Sequence, residues 1–71
     1  MRGKHVKLSR QLLSLNQTDF AAQLGWSSKR QVIKLEKEQA TVMRQTELAI
    51  ECLLRRADLL EEFRNRSSDA Y

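Results

Sequence analysis

Lys29, Arg30 and Lys34 carry three positive charges within six consecutive residues, with Gln31 among them and Ser28 just before. A guanidinium offers a planar fork of N–H donors and an ammonium a compact point charge, so the available chemistry is the gripping of anions and hydrogen-bond acceptors. On a helix, residues 30 and 34 share a face, while Val32 and Leu35 point inward. Most cationic helix faces are merely solvated. This one follows directly on another short helix and a glycine, over residues 16–36, and that combination suits a helix laid into the major groove of DNA.

The elements that must position this face are all helical. Leu, Gln, Arg and Glu are frequent, proline is absent and glycine occurs twice. No stretch alternates with the two-residue period of a strand. Leu8, Leu12 and Leu15, widened by Leu13, predict a first helix over about 4–14, preceded by Met1 to Gly3 as a loose basic arm. A second helix is expected over about 18–24, entered at Asn16 or Gln17. Asp19 lies in its first turn, where an acid complements the helix dipole, and Phe20, Ala21 and Leu24 form its buried stripe. Gly25 can take the left-handed conformation that ends helices. Trp26 reads as core packing under the turn, with base stacking as the less favoured alternative. A third helix is expected over about 28–37, opened by Ser28 with Gln31 in a capping-box pattern.

Residues 38–43 read as a loop. A fourth helix over about 44–55 is expected to bury Leu48, Ala49, Cys52 and Leu53 on one face, with Cys52 as a small core hydrophobe. Asp58 with Glu61 predicts the start of a fifth helix over about 59–65, whose apolar residues are Leu59, Leu60 and Phe63. Residues 66–71 read as a frayed polar tail.

Seventy-one residues allow one domain with a thin core, and a partner chain is a natural way to add buried area. Residues 1–44 hold nine cations against three acids, net +6, and residues 45–71 hold four against six, net −2. A basic front and a faintly acidic back fit a nucleic-acid binder with a separate assembly surface; a solubilising distribution reads equally well. The single cysteine rules out an intrachain disulfide and fits a reducing, cytoplasmic setting. No apolar run spans a bilayer, and the basic start lacks the apolar stretch of a secretory signal. With no paired carboxylates, nucleophile–base set or glycine-rich phosphate loop, the chain does not read as an enzyme. No metal, cofactor or small-molecule ligand is expected, and the lone His5 reads as a surface residue near a DNA backbone.

Leu15-Asn16-Gln17-Thr18-Asp19-Phe20-Ala21-Ala22-Gln23-Leu24-Gly25, then Val32, Leu35-Glu36 and Glu47-Leu48-Ala49, resemble the Cro/C1-type (XRE-like) helix-turn-helix family of lambdoid phage repressors and Cro proteins. The resemblance covers roughly residues 4–55 and implies an all-α, five-helix, lambda-repressor-like domain with a C-terminal dimerisation helix. The chain is then a single DNA-binding domain over 1–71, with its helix-turn-helix core at 16–37 and its dimerisation region at 48–65. Two departures stand out. Trp26-Ser27-Ser28 lengthen the turn by one residue, which leaves the recognition register open by one, and Glu38 stands where the family often has glycine.

The resemblance also implies residue roles. Ser28, Lys29, Arg30 and Lys34 face the groove, where Arg30 or Lys29 bonds guanine O6 and N7 and Gln31 reads adenine if the register shifts. Asn16 and Gln17 at the entrance of the second helix, with Lys37, Gln39 and Arg44, contact the DNA backbone. Arg10 and Glu36 form a partly buried ion pair between the first and third helices. Apart from the resemblance, Leu54, Leu59, Leu60 and Phe63 are more apolar side chains than a frayed C-terminal helix needs, and they are expected to join two copies.

The expected function is a homodimeric repressor on an inverted-repeat operator, autorepressing its own phage or mobile-element operon, with anti-CRISPR-associated regulators and antitoxins among the similar short proteins. The alternative is an antitoxin or helical interaction module whose main partner is another protein.

Overall fold

The computed structural model describes residues 1–37 and 40–67. Within them the chain forms five helices, α1 (Gly3–Leu12), α2 (Gln17–Gln23), α3 (Arg30–Leu35), α4 (Arg44–Arg56) and α5 (Leu60–Ser67). The only extended pairing among these residues is one antiparallel bridge between Arg2 and Thr41. The domain is all-α, as expected. α2 packs against α3, α1 lies against both α5 and α4, and α4 lies against α5. Every helix supplies the centre: Val6, Phe20, Ala21, Val32, Ile50, Leu54 and Phe63 are each at most 1% exposed. Burying a large apolar side chain contributes about 1.5–3 kcal/mol. No pair of helices hides this set alone, so the helices stand or fall together.

Three helices end in the same way. Ser14 (φ 58°), Gly25 (φ 81°) and Asp58 (φ 60°) are left-handed. Each donates its N–H three residues back, and the next residue donates five back: Leu15 to Arg10 (3.2 Å), Trp26 to Ala21 (2.9 Å) and Leu59 to Leu54 (2.8 Å). This is the Schellman arrangement, which satisfies carbonyls a helix end would otherwise leave bare. It also turns an apolar residue back onto the helix just ended. Leu15, Trp26 and Leu59 all pack against the core in a half-buried state, which is the packing role expected for Trp26.

Residues 1–3 are not a loose arm. Met1 and Gly3 are buried. The Gly3 N–H donates to the Ala40 carbonyl at 3.1 Å, the Val42 N–H donates to the Met1 carbonyl at 3.3 Å, and the Met1 ammonium donates to Glu47 Oε2 at 3.1 Å. A Cβ on Gly3 would collide with the carbonyls of Lys37 and Leu35, so α1 begins against the end of α3 at a distance only glycine permits.

α4 turns a different face inward from the one expected. Its buried residues are Glu47, Ile50 and Leu54, whereas Leu48 is 48% exposed and Ala49 and Cys52 are exposed. Apolar residues occupy positions 48–50 and 52–54, so periodicity leaves the phase open. On the inward face Glu47 takes the Met1 ammonium, and Ile50 and Leu54 enter the core. Asp58 does not open α5 as an N-cap; it closes α4 in left-handed geometry. α5 runs to Ser67, past the expected end, and Ser68 to Tyr71 of the expected tail lie outside the described residues. His5, expected at the surface, is 4% exposed. Its Nδ1 accepts the Arg2 N–H at 3.0 Å, and its ring meets Phe63 edge-on with centroids 6.4 Å apart. In α1 the deepest side chains are Val6 and Ser9, both 0% exposed, while Leu8, Leu12, Leu13 and Leu15 flank them half-buried. Ser9 tolerates burial because its hydroxyl donates to the Val6 carbonyl at 2.7 Å.

Candidate nucleic-acid interface

Asn16 starts α2: its Oδ1 accepts the Asp19 N–H at 2.7 Å, the usual N-cap bond. Phe20 and Ala21 anchor the helix, and Gly25 ends it. The chain then reaches α3 through Trp26-Ser27-Ser28-Lys29. Ser28 Oγ accepts the Arg30 N–H at 3.2 Å, so Ser28 satisfies a donor at the helix start. No bond of the expected capping box joins it to Gln31 among the described residues. α3 is shorter than expected because Ser28 and Lys29 belong to the approach and Glu36 and Lys37 to the exit.

Val32 (0% exposed) and half-buried Leu35 fix α3 to the domain. Ser28, Lys29, Arg30, Gln31 and Lys34 are all exposed, as is Ile33 at 43%. No ion pair engages Lys29, Arg30, Lys34 or Lys37 among the described residues. Their charge is therefore available to a partner.

Behind this face lies a brace. Arg10 Nε donates to Glu36 Oε2 at 2.5 Å and its Nη2 to Glu36 Oε1 at 3.3 Å, while its Nη1 donates to the Leu15 carbonyl at 3.0 Å. Gln17 Nε2 donates to Glu36 Oε1 at 3.2 Å. One carboxylate thus ties the end of α1, the start of α2 and the exit of α3 together. The Arg10 and Glu36 side chains are only 16% and 8% exposed, so solvent screens the pair weakly. Gln17, expected at a phosphate, has an amide donor committed to Glu36.

Of the other expected backbone contacts, Asn16 and Lys37 are exposed. Arg44 is 70% exposed and bonds Glu47 Oε1 at 2.6 Å, and Gln39 lies outside the described residues, as does Glu38. The spacing of Arg44 and Glu47, three apart on a helix, was the available sign of that pair. The expected dimer surface needs correction. Leu54 and Phe63 are 0% exposed in the single chain and offer nothing to a second copy. Leu59 and Leu60 are half-buried. A core this small takes Leu54 and Phe63 for itself. Among the described residues no cluster of His, Cys, Asp and Glu could hold a metal ion, and no helix is long and apolar enough to cross a membrane.

Compared with known proteins, the chain matches no family model, no curated protein and no solved structure.

Proposed function

We propose that this chain is a sequence-specific DNA-binding repressor in which α2 and α3 act as a helix-turn-helix of the Cro/C1 type. One observation carries the reading: Ser28 and Lys29 in the approach and Arg30, Gln31 and Lys34 on α3 are all exposed, on a segment fixed from behind by Val32 and the Arg10–Glu36–Gln17 brace. A rigid, cationic, hydrogen-bonding helix end is what base-edge readout needs. Arg30 or Lys29 addresses guanine, Gln31 adenine, and Asn16, Lys37 and Arg44 the phosphates.

A six-residue helix reads only a few base pairs. A homodimer on an inverted repeat doubles the contacts, placing the two α3 helices in major grooves about 34–36 Å apart. With Leu54 and Phe63 in the core, the apolar side chains left for the second copy are exposed Leu48 and half-buried Leu59 and Leu60. The target we favour is the promoter of the chain's own operon in a phage or mobile element, anti-CRISPR operons included.

The exposure of Met43 (68%) and Leu48 (48%) favours a second reading, an antitoxin-like module whose main partner is another protein. Footprinting on the DNA upstream of the gene decides between them. Two protected half-sites one helical turn apart are expected, together with a dimer by light scattering. A monomer that protects no DNA at low salt removes the repressor reading and leaves the second.

A further inference from the structure

The docked segment 1–3 alternates as a strand does. Met1 and Gly3 are buried and Arg2 is exposed; opposite them Val42 is buried, Ala40 half-buried and Thr41 exposed. Arg2 and Thr41 are the bridged pair, and directly opposed residues of an antiparallel bridge project to the same side. Arg2 is therefore carried outward by backbone contacts that do not involve its side chain. Its neighbours are set on both flanks. Gly3 abuts the Lys37 carbonyl, and Met1 holds Glu47, whose other oxygen takes Arg44. The one charge of Glu47 is shared between two cations, and no ion pair engages Arg2 or Lys37 among the described residues. The bridge sets Arg2 beside Thr41, the close approach at Gly3 sets the same segment against Lys37, and Glu47 links it to Arg44, so the three exposed cations belong to one stretch of docked backbone next to the exit of α3.

We infer that this stretch is a preformed phosphate clamp in which Arg2 is a DNA-backbone contact, gripping the strand that flanks the groove entered by α3. The inference rests on the DNA-binding reading above. It adds a contact from the start of the chain, delivered by a pinned bridge and not by a flexible arm. Such a clamp holds no base edge, so it raises affinity for all sequences alike. A fixed guanidinium also loses less freedom on binding than one on a loose arm.

The test is duplex affinity measured across a salt series for the unaltered chain, Arg2→Gln, Arg2→Lys and Arg55→Gln. Arg55 removes the same charge from the far end of α4, roughly 16 Å along the helix from Arg44. Losing one phosphate contact lowers the slope of log K against log salt by about 0.9. Arg2→Gln is expected to show that drop and several-fold weaker binding at low salt, equally on operator and random duplexes, with an unchanged melting temperature. Arg2→Lys is expected to restore the slope. If Arg2→Gln tracks Arg55→Gln while the unaltered chain binds with a steep salt dependence, the clamp is wrong and the DNA-binding reading stands. If the unaltered chain binds no duplex at any salt, both are wrong.

Discussion

Arg10 holds Glu36 with two nitrogens while its third reaches the Leu15 carbonyl, so one side chain fixes both the exit of α3 and the turn after α1. Replacing either partner strands a largely buried charge. Arg10→Met and Glu36→Leu should each cost about 3 kcal/mol or more, read as a fall in the urea midpoint. The double variant should lose clearly less than the sum; strict additivity would show that the two residues do not act as a pair.

Gly3→Ala should be among the most damaging single-methyl changes in the chain. The added carbon meets backbone carbonyls of Leu35 and Lys37, which cannot rotate aside, so the cost should reach or exceed the roughly 1–3 kcal/mol usual for overpacking. Gly25→Ala, with open space around its Cβ position, should cost only the left-handed strain of about 1–2 kcal/mol. Thermal melts of the two variants in the reverse order would refute the close approach at Gly3.

Ser14→Gly should stabilise the domain. The left-handed backbone at φ 58° penalises a serine, and relief outweighs glycine's extra unfolded freedom by about 0.5–1 kcal/mol. That corresponds to a rise of several degrees in melting temperature, since about 1 kcal/mol moves a domain of this size by roughly 4–8 °C. Asp58→Gly should gain less, because aspartate tolerates the conformation better. A drop in melting temperature for Ser14→Gly would contradict the assigned turn.

Phe63→Asp should unfold the chain outright, because it places a charge where exposure is 0%. Leu48→Asp should leave the melt within about 0.5 kcal/mol of the parent while weakening self-association. Circular dichroism and light scattering on the two variants separate core from surface. A folded, monomeric Phe63→Asp would return Phe63 to the dimer surface.

Arg30→Ala should lose roughly 1–3 kcal/mol on the operator and little on random duplex, relaxing the preference at one base position. Competition titrations read both numbers together. Equal losses on the two duplexes would move Arg30 from base reading to backbone contact.

Much of this architecture was legible in the residues. Helix count, the glycine turn at Gly25 and the inward set Phe20, Ala21 and Val32 follow from spacing that allows one answer. The phase of α4 was not legible, because apolar residues fill six of the seven positions 48–54 and the choice falls to tertiary packing that local spacing does not show. The start of the chain misled for the same reason. Met1-Arg2-Gly3 has no periodicity of its own, and its order comes from Lys37, Ala40, Val42 and Glu47. The cationic face of α3 was readable because local spacing alone produces it. The fates of Leu54 and Phe63 were not, because an apolar residue in a short helix looks the same whether it covers its own core or a neighbour's.

The edge-on contact of His5 with Phe63 joins the opening helix to the closing one. During synthesis α1 therefore meets its counterpart only after the whole helical series has left the ribosome. Without α5, the apolar sides of α1 and α4 against which it packs would lie bare.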